Sequence, residues 1–133
     1  VISTPAPARR RVNPWPGVLL VVLLGLALLS AYGDVRLRAE AALACDDMDA
    51  GLGFSLNVLL PLVAGANCVG TFVCWLVFGR RYGVSGAVAA LMVAALFLGL
   101  TTLAFFQLAP LPDGPLPGCP TGVPPWWPDV LPG

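Results

Sequence analysis

The chain has 133 residues, of which 58% are hydrophobic and 11% charged, with seven basic side chains, seven acidic ones and no histidine. Soluble domains carry about 45–50% apolar and about 25% charged residues, so this composition excludes an ordinary water-soluble fold and calls for a bilayer. The lack of histidine removes the commonest ligand for haem, copper and non-haem iron, and the arginines form no basic face of the kind that binds nucleic acid. All seven basic residues are arginine, and Ala, Gly, Pro, Val and Leu dominate. That bias points to a GC-rich bacterial source, with an actinobacterium as the expectation.

An arm with Arg9, Arg10 and Arg11 leads to the first apolar run, Val18 to Tyr32. Pro14 and Pro16 precede it, and proline is tolerated at the start of a helix. Trp15 and Tyr32 bracket the run about 25 Å apart at helical rise, as interfacial anchors do. The same stretch, ending in "AYG", also has the layout of a secretory signal peptide; an uncleaved anchor is the expectation. Residues 33–51 then form a loop whose stretch "DVRLRAEAALA" reads as a helix following a bend at Gly33. Asp34 is placed to cap it, Val35, Ala39 and Leu43 to share a face, and Arg36 to pair with Glu40.

Two further runs, about 52–78 and 84–108, each exceed the roughly 20 residues needed to span a membrane. They contain no charged residue and are joined by the short "GRRYG", which makes them an antiparallel hairpin. With three spans, Arg9, Arg10, Arg11, Arg80 and Arg81 share one side of the membrane and Arg36 and Arg38 the other. The positive-inside rule then predicts a cytoplasmic N-terminus and an extracellular C-terminus in a bacterial plasma membrane. The fold class expected is an all-α integral membrane protein with a Pro-rich, irregular tail over 109–133.

Cys45 and Cys119 fall on the side predicted to be oxidising, and a disulfide between them is expected. Cys68 and Cys74 lie on one helix about 9 Å apart along its axis and read as packing residues. Asp47 and Asp49 sit in a D-x-D-x-G pattern, but Val58 stands where a calcium loop needs its bidentate acid, so a solvated acidic turn is expected. No catalytic residue, metal or cofactor is predicted.

Small residues supply the remaining signal. Ala64, Asn67, Cys68, Thr71 and Cys74 share a face of the second span, with Ala66 and Gly70 beside it. Gly86, Ala90 and Ala94 form a ladder on the third span, followed by Ala95 and Gly99. Such faces allow close helix approach in lipid, and Asn67 can bond across an interface. They can serve the hairpin itself or a foreign helix, which makes Asn67, Gly70, Gly86, Ala90 and Ala94 candidate partner-binding residues. Trp126 and Trp127 join them as anchors for the tail, although an aromatic belt at the headgroups explains a Trp pair equally well. Nine prolines from Ala109 onward deny the tail a helix or ladder, so it needs a surface to rest on. The functional expectation is a non-catalytic accessory subunit of a larger membrane complex, in contact with larger subunits and lipid; the alternative is a homo-oligomeric transporter, channel or sensor.

Overall fold

The computed structural model describes residues 14–46, 50–79, 83–110 and 115–131. Three helices account for most of them: α1 (Trp15–Ala44), α2 (Ala50–Cys74) and α3 (Gly83–Leu108), with a π-helical turn, Trp75–Gly79, continuing α2. Each is long and apolar enough to cross a membrane. Among the described residues the only β-type pairing is one antiparallel bridge, Leu116 with Cys119.

Helix α1 differs most from the sequence expectation. Pro14 opens it by accepting the amides of Gly17 and Val18 at 3.1 and 3.2 Å. It then runs unbroken through Gly33, so Asp34 lies inside the helix and caps nothing. One interior glycine costs only about 1 kcal/mol, and the helix-forming stretch beyond it carries the turn forward. Arg36 and Glu40 pair there at 2.7 Å on the exposed side, as the spacing predicts. Its 30 residues extend about 45 Å at helical rise, well past a hydrocarbon layer of about 30 Å. The helix stops at Cys45, whose amide bonds Ala41 O at 3.1 Å. Asp46 follows at φ 55, the left-handed region that aspartate tolerates better than most residues.

The buried face of α1 organises the bundle. It comprises Leu19, Leu23, Ala27, Ala31, Asp34, Arg38, Ala41 and Ala42, with Cys45 at the end. Near the helix start, Leu19 and Leu23 pack with Ala90 and Ala94 of α3 and with Trp75, Phe78 and Ala87. Midway, Asn67 of α2 is fully buried and donates to Ala27 O at 3.4 Å, while Thr71 bonds back to Asn67 O at 2.8 Å. At the far end, Ala41 joins Phe105 and Phe106 of α3 and Trp127 of the tail.

The small-residue faces therefore turn largely toward α1; reading α2 and α3 as an isolated hairpin leaves out the third helix that fills the groove. One direct α2–α3 approach is tight. A Cβ on Gly70 would run into the ring of Phe97, so only glycine fits there without moving the aromatic. The π-helical turn ties α2 to the start of α1, with Trp75 Nε1 donating to Pro16 O at 2.7 Å and the Trp75 ring stacked on Phe72.

Candidate functional site

The end of the bundle away from Trp15 carries most of the polar and aromatic chemistry. Asp34 and Arg38, one helical turn apart on α1, are only 7% and 4% exposed. Charges so placed must be bonded to be tolerated. The Thr102 hydroxyl of α3 is shared between both carboxylate oxygens of Asp34, at 3.0 and 3.1 Å. Arg38 reaches just past the last turn of α3, donating from Nε to Ala109 O at 3.2 Å and from Nη2 to Pro110 O at 3.1 Å. Carbonyls at a helix C-terminus carry partial negative charge, and a guanidinium there both bonds them and complements the dipole.

The tail closes over this end. Cys45 and Cys119, both buried, form a disulfide with Cα atoms 4.9 Å apart, across 74 residues of sequence. The close approach depends on the neighbouring residue, since a Cβ on Gly118 would stand 2.5 Å from Ala44 O and 3.1 Å from backbone atoms of Cys45. Amide–carbonyl pairs between Leu116 and Cys119 in both directions, and Gly122 N to Cys119 O at 2.9 Å, curl the chain around the cysteine. Eight residues after Cys119, Trp127 lodges edge-to-face on Phe106 with ring centres 5.4 Å apart. Val35, Leu37, Leu59, Val63, Val123 and Leu131 surround this aromatic cluster. The Trp127 indole N–H is buried and has no hydrogen-bond partner among the described residues.

The candidate residues named from sequence thus separate. Cys45 and Cys119 are joined as expected. Trp127 is 8% exposed and packed on its own chain, whereas its neighbour Trp126 is 48% exposed. Asn67, Gly86, Ala90 and Ala94 are buried within the bundle, and Gly70 is half-buried against Phe97. Arg9, Arg10, Arg11, Arg80 and Arg81, with Asp47 and Asp49, lie outside the described residues. Cys68 is a half-buried and Cys74 a buried free thiol. The described residues contain no group of three His, Cys, Asp or Glu side chains able to hold a metal.

Sequence reading missed the Asp34–Thr102 and Arg38–α3 contacts. Their signal was present: Ala27, Ala31, Asp34, Arg38, Ala41 and Cys45 follow each other at steps of four and three, a single helix face. Its small members mark it as the packed side and place the two charges on it. The cap is chemically a clasp, built of one covalent bond, one charged helix cap and one aromatic plug. No family model, no curated protein and no solved structure matches the chain.

Proposed function

We propose that this chain is a non-catalytic accessory subunit of a larger bacterial membrane assembly, held by its lipid-facing helix surface. The observation that carries the reading is on α2. Val58, Leu62, Gly65, Val69 and Phe72 are all exposed and follow at steps of four, three, four and three residues. That is the heptad spacing with which left-handed helix pairs interlock, and a Cβ on Gly65 would meet nothing in this chain. The bundle's own packing leaves this seam vacant, while the polar side chains Asn67, Asp34 and Arg38 are spent on holding the three helices together. A partner helix docking along α2 fits that division of labour.

The orientation proposed is N-terminus cytoplasmic and C-terminus outside, in the plasma membrane. Two independent features support it: five of the seven arginines precede α1 or link α2 to α3, and the disulfide belongs in an oxidising compartment.

Replacing Gly65 by Leu tests the docking. The expected result is loss of co-purifying larger subunits in mild detergent, with the Cys45–Cys119 bond still formed. A native band made only of multiples of this chain supports the homo-oligomer instead. Unchanged co-purification rejects the seam.

A further inference from the structure

We infer that the tail dips its Trp126 face into the lipid headgroup layer beside the bundle, so that the cap is also an interfacial lipid contact. The inference goes beyond the docking of α2 and stands or falls separately from it.

Depth along the helices carries it. Trp15 and Tyr32, both exposed on α1, are about 25 Å apart at helical rise and mark the two borders of the hydrocarbon. Asp34 lies two residues, about 3 Å, beyond Tyr32. Its bond to Thr102 transfers that level to α3. Phe106 is four residues further, about 6 Å, which places its backbone about 9 Å outside the border. Side chains lean toward the start of their helix, so the Phe106 ring points back toward the bilayer. Trp127 packs on that ring, and Trp126 lies 6.1 Å from Trp127 by ring centres. The headgroup layer is about 5–8 Å deep on each side. Trp126, 6.1 Å from Trp127 and half-exposed, is within reach of that layer.

The path of the tail agrees. Cys45 is thirteen residues past Tyr32, about 20 Å above the border at helical rise. Cys119 is bonded to it, so within the eight residues to Trp127 the chain comes down toward the level of Phe106, about 11 Å lower at helical rise. It brings a half-exposed indole to the depth that indoles favour, with Val130 exposed nearby in sequence. The tail from Ala109 onward contains no basic residue and carries Asp113 and Asp129. The contact is accordingly with the interfacial region of zwitterionic lipid, without preference for anionic headgroups.

The test uses the full chain reconstituted in phosphatidylcholine vesicles brominated at a shallow or a deep acyl position. The difference in emission between the unaltered chain and Trp126→Phe isolates Trp126, and Trp126→Tyr provides the same subtraction if the first variant fails to form its disulfide. The expected Trp126 share is strongly quenched by shallow bromine, weakly by deep bromine and weakly by aqueous iodide. Adding phosphatidylglycerol leaves the pattern unchanged. Free iodide quenching with no bromine effect overturns the inference in favour of water. Shielding from both quenchers overturns it in favour of a protein surface.

Discussion

Gly118 and Trp127 are the residues on which closure of the tail turns. Gly118→Ala puts a methyl group against Ala44 O, and that carbonyl belongs to the last turn of α1 and has little room to retreat. The expected outcome is a smaller oxidised fraction on a non-reducing gel, with the helices retained by circular dichroism. Trp127 separates two contributions. Trp127→Phe keeps an aromatic plug on Phe106 while removing a buried N–H that lacks a partner among the described residues, so its cost is expected to be small. Trp127→Ala opens a cavity and is expected to cost about 3–5 kcal/mol of cap stability, readable as amide exchange around Phe105 and Phe106. Arg38→Met retains the aliphatic stem but drops the bonds to Ala109 O and Pro110 O. Hydrogen bonds from charged groups are worth about 1.5–3 kcal/mol, and a loss of that size is expected for unfolding in mixed micelles. Full stability in Arg38→Met would show that the tail alone satisfies the end of α3.

Among the elements, α1 is the keystone, because one of its faces supplies the middle of each packing layer. Gly70→Leu, which forces Phe97 out of its place between α2 and α3, is expected to weaken the α2–α3 approach while leaving the Cys45–Cys119 bond intact. Cysteine cross-linking between those two helices, run beside a non-reducing gel, distinguishes that local effect from general unfolding. The second and third spans were legible in the sequence because runs of twenty or more apolar residues have few other fates, and the shorter first run, Val18 to Tyr32, because Trp15 and Tyr32 border it. The disulfide was legible because topology leaves Cys45 and Cys119 on one side. The length of α1 was not: Gly33 and Asp34 look like a boundary, and only the partners Thr102 and Ala109 show why the helix gains by continuing. Nor was the π-helical turn at Trp75–Gly79, which carries the long-range bond from Trp75 to Pro16 O and has no local sequence mark. Trp126 and Trp127, adjacent and identical in type, could not be told apart until the position of Phe106 was known.

At the scale of the whole molecule, charge and covalent chemistry are both polarised. All seven acids lie in 34–49 or in the tail, whereas five of the seven arginines lie before α1 or between α2 and α3. The disulfide closes a ring through α2 and α3 at the point where α1 ends. In the chain-entropy account a loop of this length is worth about 4.5 kcal/mol, an upper figure here because helices held in a bilayer already restrict the unfolded chain. Cys119→Ser is expected to make the segment after Leu108 sensitive to added protease while the helices stay protected, with limited proteolysis of sealed vesicles as the measurement.

The same bond also has a place in time. Cys45 emerges with the end of the first helix, long before its partner has been made. The thiol must wait through the insertion of α2 and α3, and it meets Cys119 only if the third helix has crossed. A chain in which α3 stalls leaves the two sulfurs in different compartments, where no oxidant can join them. In the orientation proposed above, oxidation of this pair is thus a receipt for completed insertion, and thiol still free at Cys45 and Cys119, as distinct from Cys68 and Cys74, counts the molecules that went in wrongly.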